Sequence, residues 1–423
     1  MKIALIIFVI VYVLMIALPK YRAYIAFLGA IIFVATGFLP YKEIITAIDF
    51  NVLLMIGGTM GLVTLFIESK MPTKLADLIV NNTSNIKWTI IALASFSGII
   101  SAFVDNVSTV LMIAPVAVSI SKKLKFSPVA MVIAIAAASN IEGSATLVGD
   151  TTSIMLASAA KMDFLDFFWF NGRPSLFWIN QVGLLAAVST LYIRFRKQNS
   201  PISKQNVTVV KDYVPTALLL MMISSLIIAS FFQHKPQITN GVICVSYLLI
   251  GLVFYLIKNK NFTMIKAVCK DIDYFTLLLL ASLFVIIAGI EHVGIIDALA
   301  GQIVKIGGQN LFFMYSLILW ISVLASAFID NIPYVATMLP VVAGISSAMG
   351  INPYVLYFGL IIGATLGGNL TPIGASANIA GIGILRKEGY EVKNSDFFKI
   401  SVPFTLAPVL AGYALVWLTF RNV

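Results

Sequence analysis

Two histidines and two cysteines are the only imidazoles and thiols in this chain of 423 residues. Cys244 and Cys269 fit no metal spacing and build no disulfide framework, and neither His234 nor His292 lies near the Gly- and Thr-rich stretches described below. With no nucleophile–base pair and no metal-ligand cluster, an enzyme is disfavoured. No Gly-Lys-Ser/Thr phosphate loop occurs, so the chain does not itself hydrolyse nucleotide; a separate ATPase subunit would leave no trace in it. Charged residues make up only 11%, which excludes a soluble domain of this length. Lys and Arg exceed Asp and Glu by ten. Cytoplasmic loops of membrane proteins carry such an excess, so it calls for no nucleic-acid partner. The first apolar run, 3–18, ends in Leu18-Pro19-Lys20-Tyr21 without a small-x-small cleavage site and is expected to be a retained helix.

What is present is hydrophobic: 60% of residues, with mean hydropathy +0.99, in runs of about 16–20 residues that match a bilayer. Spans are expected at 3–18, 24–39, 50–69, 128–160, 175–194, 213–232, 238–257, 273–292, 353–386 and 398–420. The chain is therefore an all-α polytopic membrane protein with about ten transmembrane helices. Two further apolar pairs, 88–104 with 106–121 and 311–329 with 331–348, are separated only by an Asp-Asn tip. Each is either two full crossings or a re-entrant helical hairpin holding its tip inside the membrane, and the parity is the same either way.

SAFVDN at 101–106 returns as SAFIDN at 326–331, and the 225-residue offset holds without a gap for about fifty residues. It sets Asp105 on Asp330, Asn106 on Asn331, Gly143 on Gly368, Thr146 on Thr371 and Gly149 on Gly374. Each half crosses an odd number of times, so the two repeats have inverted topology. The first repeat is 1–194, with hairpin 88–121 and broken helix 128–160. The second is 213–423, with hairpin 311–348 and broken helix 353–386, and 195–212 is a cytoplasmic linker. Lys and Arg divide 21 to 7 between the two faces. That ratio places both termini outside, in an integral protein of the cell membrane. Paired repeats around a midplane site are the plan of a secondary transporter.

The duplication keeps polar residues where lipid makes them costly. Asp105-Asn106 and Asp330-Asn331 each begin a helical arm, where they either cap it or bind an ion. Sodium is the metal ion to expect at these four residues; no other cofactor is called for. The runs 143–153 and 368–378 interrupt their spans with Gly, Thr and, in the second, Pro. Such sequence breaks a helix and frees backbone groups for an ion or substrate; close helix packing is the alternative. Packing explains the glycines but leaves Asn369, Thr371, Ser376 and Asn378 unexplained. Glu142 and Asp150 face Gly367 and Ala375 in the other repeat. They are either a proton or sodium element peculiar to the first half or caps of a half-helix. Glu68, Glu291, His292, Asp49 and Asp273 are expected at solvated span ends, and Gly57, Gly58 and Gly61 on a packing face. Phe164 to Phe170 reads as an interfacial belt or surface helix. No Lys or Arg is expected in the core, which favours Na⁺ or H⁺ over a free multivalent anion.

SAFVDNVSTVLMIAP (101–115), ASNIEGSATLVGDTTSIM (138–155), SAFIDNIPYVATMLP (326–340) and GGNLTPIGASANIAG (367–381) resemble the ion transporter superfamily. The likeness is to the branch of arsenite permeases, NhaD-type sodium/proton antiporters and the melanosomal P protein, which is related to the divalent anion/sodium symporters. It implies two re-entrant hairpins and two broken helices around the site and, from those symporters, a homodimer with elevator-like motion. It carries a first half-site of Asp105, Asn106, Thr146, Gly149 and Asp150. The second is Asp330, Asn331, Asn369, Thr371, Gly374, Ser376 and Asn378. P-protein-like members tend to read Gly-Gly where Glu142-Gly143 stands here, and Gly-Asp-Pro-Pro-Asn where 149–153 stands. The function to expect is ion-coupled transport of a small inorganic ion or anion: sodium/proton antiport or an arsenite or anion permease. A sodium-coupled di- or tricarboxylate symporter and a passive anion channel are the alternatives.

Overall fold

The computed structural model describes residues 1–123, 126–202, 206–210, 212–232, 234–259 and 262–422. Lys125, Lys204, Lys211 and Lys260, counted above on the Lys- and Arg-rich face, lie outside the described residues. The chain begins with α1 (Lys2–Ala17) and α2 (Arg22–Ala35), which meet at a bend of 114°. The short α3 (Ile44–Ala47) leads into α4 (Phe50–Glu68) and α5 (Met71–Asn81). The first hairpin is α6 (Ile86–Ser101) and α7 (Asn106–Lys123), and the first broken helix is α8 (Val129–Gly143) with α9 (Thr151–Ala160). A two-stranded ribbon, β1 (Trp169–Phe170) and β2 (Arg173–Pro174), precedes α10 (Leu176–Phe195). After the linker come α11 (Val214–Ser230), α12 (Thr239–Asn259), α13 (Thr263–Asp271), α14 (Tyr274–His292) and α15 (Ile295–Gly307). The second hairpin is α16 (Leu311–Ser326) and α17 (Asn331–Met349). The second broken helix is α18 (Tyr354–Gly367) with α19 (Ser376–Lys387), and α20 (Asn394–Phe420) follows.

The series α4 to α10 is thus repeated by α14 to α20. Helix starts are capped in pairs: Asp49 accepts from Val52 N and Asp273 from Thr276 N, each at 3.0 Å. Asn85 accepts from Trp88 N at 3.1 Å and Asn310 from Phe313 N at 3.0 Å. These side chains satisfy N–H groups that have no partner within the helix. The hairpin tips and both helix breaks meet in the interior of the protein.

Lipid gives little hydrophobic drive for helix association, so close contact relies on small residues. A Cβ on Gly58 would lie 2.6 Å from the backbone of buried Cys244, and one on Gly61 2.6 Å from Leu248; both seat α12 on α4. Gly57 is not part of that face, its nearest neighbour being Leu277 at 3.8 Å. In exchange, α2 of the first half packs on α14, where a Cβ on Gly289 would meet Phe33 at 2.6 Å.

Three regions differ from the sequence reading. The connectors 70–87, 258–270 and 293–310 hold helices α5, α13 and α15, which are short and apolar along one side only. The linker is strapped down: Ile86 N donates to Ser200 O at 3.1 Å, and Thr208 N and Oγ1 donate to buried Asp77 at 2.8 and 2.6 Å. At its end, partial burial pushes the Asp212 carboxyl up. The Lys258 ammonium, the Val214 amide and the Tyr255 hydroxyl outweigh that and hold it below the usual carboxylate range. Phe164, Phe167 and Phe170 are core residues rather than a belt. Phe170 packs against Tyr354 and Phe358, leaving Trp169 exposed.

Candidate functional site

Each break is pinned to its own hairpin tip by the same contacts. Thr146 Oγ1 donates to Ala102 O, and Thr371 Oγ1 to Ala327 O. Ser153 Oγ donates to Gly143 O at 3.0 Å; its repeat mate Asn378 donates to Gly368 O and Thr371 O, each at 3.0 Å. These bonds occupy carbonyls that the interrupted helices leave free. A Cβ on Gly149 would meet Gly143 O at 2.5 Å, Ser101 O at 2.9 Å and Ala102 O at 3.0 Å. On Gly374 it would meet Gly368 O, Ala327 O and Ser326 O at 2.6, 2.7 and 2.9 Å. Thr146, Thr371, Gly149 and Gly374 therefore hold tip to break, Asn378 closes the second break on itself, and none of the five lines open space.

Open space lies beside them, in a cavity of about 470 Å³. Its floor is buried: Asn106, Asp150 and Asn331, with half-buried Asp105 and Ser376. Its mouth is exposed, at Lys270, Asp271 and Asp273. Asp105 accepts from Ser108 N at 2.9 Å, and Asp150 from Thr151 N and Thr152 Oγ1, each at 2.8 Å. Asn331 Nδ2 reaches Asp150 from the other half at 3.2 Å. A chain of amides crosses the repeat axis behind the cavity. Asn106 donates to Asn140 at 2.9 Å, Asn140 to Asn369 at 2.6 Å, and Asn369 to Ala137 O at 3.0 Å. Asn140 went unnoticed in the sequence because it lies in an unbroken run of α8 and its repeat mate is Thr365. Asp273 caps its helix, yet it also stands at the cavity mouth rather than merely at a solvated end.

The expected absence of basic residues from the core is wrong. Arg22 Nη1 pairs with Asp330 Oδ2 at 2.9 Å, the two side chains being 17% and 12% exposed, and Arg22 lines the cavity. It is the first residue of α2, outside the stretch where the repeat is legible, so it reads as one more loop cation.

Glu142 stands apart from the cavity. It is fully buried, accepts from Gln181 Nε2 at 2.6 Å, and leaves Oε1 without a partner. The repeat explains its fit. Gly98 faces the Glu142 side chain, with 3.0 Å left for a Cβ, whereas in the second half Gly367 packs against the backbone of Val323. Large and small residues have changed places across one helix contact, conserving volume. Glu142→Gln keeps that volume and is expected to change stability by less than about 1.5 kcal/mol. Glu142→Ala is expected to cost about 2–4 kcal/mol by opening a void. Thermal unfolding of the purified variants checks both, and loss of proton coupling in Glu142→Gln would assign the residue a proton role instead.

The sequence profile described as citrate transporter matches residues 10–360, more than half of the chain. This protein belongs to the citrate transporter family. The transporter is 30% identical over 428 residues to an uncharacterized transporter of Mycobacterium tuberculosis, covering 99% of this chain and 98% of that one. It is 27% identical over 495 residues to the human P protein, covering 96% of this chain and 58% of the relative. That likeness agrees with the branch read from the four motifs. Among solved structures, the YdaH transporter of Alcanivorax borkumensis superposes with a TM-score of 0.61 at 15% identity, over 90% of this chain and 88% of that one. At that identity the match speaks for the fold alone. The chain is a membrane transporter.

Proposed function

We propose that the transporter is an ion-coupled secondary carrier that moves a small ion or anion by alternating access and couples it to Na⁺ or H⁺. The observation that carries this reading is the cavity itself, where Asp105 and Asp150 share a floor with Asn106 and Asn331 at the junction of both tips. Counting the mouth and Asp330, five carboxylates stand against Arg22 and Lys270. A surplus of acids at a partly dry site favours a bound cation, with amide and hydroxyl oxygens completing its shell. The mouth residues belong to the face richer in Lys and Arg, so the cavity corresponds to an inward-open state with both termini outside.

Purified protein in proteoliposomes with an internal pH dye, pulsed with external Na⁺ at zero membrane potential, tests the coupling ion. Na⁺-driven pH change, lost in Asp105→Asn, supports sodium/proton antiport with the first tip as its site. A Na⁺ requirement for uptake without any pH change supports symport. Fluxes indifferent to both cations would overturn cation coupling.

A further inference from the structure

The acids leave the second member of the transported pair unnamed, and Arg22 bears on it. Arg22 is the cation deepest in the cavity, and among the described residues Asp330 is its one hydrogen-bonding partner. A guanidinium carries five N–H donors in a fixed fork suited to pairs of carboxylate or phosphate oxygens. Here Nη1 meets Asp330, while the buried Nε has no acceptor among the described residues. An under-partnered guanidinium at low exposure is costly, and an added oxyanion would relieve it. Asp330 is in the opposite condition. Besides Arg22 it accepts from Ile332 N at 3.1 Å and Ser376 Oγ at 3.0 Å, so it stays bonded when the arginine turns away.

Among the described residues the other half has no such pair. Asp105, the repeat mate of Asp330, faces the cavity without a cationic partner among the described residues. Arg22 comes from α2, beyond the legible repeat. The same stretch of chain holds the second hairpin again through Tyr12, whose hydroxyl donates to Pro333 O and lies 2.7 Å from Thr337 Oγ1. One end of the cavity is thus acidic and cation-accepting, and the other presents a guanidinium whose present partner is a replaceable carboxylate.

We infer that Arg22 is the anion-recognition residue of this transporter: it exchanges Asp330 for a carboxylate or mineral oxyanion of the substrate, which shares the cavity with the coupling cation. The inference deepens the carrier reading above by naming the substrate class, and it favours symport of an anion with its cation.

The test is calorimetric titration of the purified full-length transporter with citrate and, separately, inorganic phosphate, in Na⁺ and in choline buffer. Saturable binding of either anion is expected, and which one binds separates a carboxylate from a mineral oxyanion. Arg22→Gln should weaken that binding by about 10-fold or more, and Arg22→Lys should restore it only in part because the fork is lost. Asp330→Asn removes the competing charge and should strengthen it, a gain that a misfolded protein would not show. Binding unchanged in Arg22→Gln, weaker binding in a folded Asp330→Asn, or no binding of either anion to the wild type would overturn the inference. Na⁺ binding, followed separately by thermal shift, is expected to survive Arg22→Gln. If the wild type ignores Na⁺ and H⁺ yet binds anion through Arg22, the coupling reading fails and the anion site stands.

Discussion

Asp150→Ala is expected to abolish coupled transport and to destabilise the protein, whereas Asp150→Asn should abolish transport but recover most of the stability. Two roles meet in this side chain. As the first residue before α9 it accepts from Thr151 N, a cap whose loss typically costs about 1 kcal/mol. Asparagine can still cap. As a carboxylate on the cavity floor, bonded across the halves to Asn331, it supplies charge that an amide lacks. Removing one unit charge from beside a bound cation at a partly buried site costs at least about 1.4 kcal/mol, which would weaken cation binding by about 10-fold or more. Counterflow in proteoliposomes and thermal unfolding, run on both variants, separate the roles. Normal coupled flux in Asp150→Asn would leave this residue a cap and nothing more.

Gly149→Ala and Gly374→Ala should each prevent the protein from assembling. Every atom that the new methyl would meet closest is a backbone oxygen, three at each site between 2.5 and 3.0 Å. Side chains can rotate aside; these oxygens belong to the hairpin tip and the helix break, so relief would require separating the two. Ordinary overpacking costs about 1–3 kcal/mol, and a clash against fixed backbone on several sides should exceed that range. Gly383→Ala in α19 is the control, since a Cβ there meets nothing within 4 Å, and alanine is the better helix former by about 1 kcal/mol. Size-exclusion profiles of the detergent-solubilised proteins should show the control as a single folded species and the other two as aggregate. A folded, active Gly374→Ala would show that the break can move away from its tip at little cost.

Much of this architecture is legible in the chain because a bilayer restricts it severely. Apolar runs must be helices, since lipid satisfies no backbone group, and polar residues kept by a duplication inside such runs mark where helices stop. Asp105, Asn106 and Asn331 stand out in that way, and Asp150 as an acid of the first break alone; the tertiary structure places all four around one cavity. Thr146, Thr371, Gly149 and Gly374 stand out by the same pattern, yet they join tips to breaks, and Asn378 closes the second break on itself. The repeat marks positions that both halves need, whether to bind an ion or to hold the frame.

The sequence by itself determined the inverted repeat, the hairpins, the breaks and the acids at their tips, because each leaves a mark at a fixed offset along the chain. Only the tertiary structure decided which of those residues face open space and that Arg22 joins them. It also decided that Glu142 fills the room left by Gly98. Those facts depend on which helices lie side by side: α2 crosses to the second half and α12 to the first, and no local pattern records which partner each will meet.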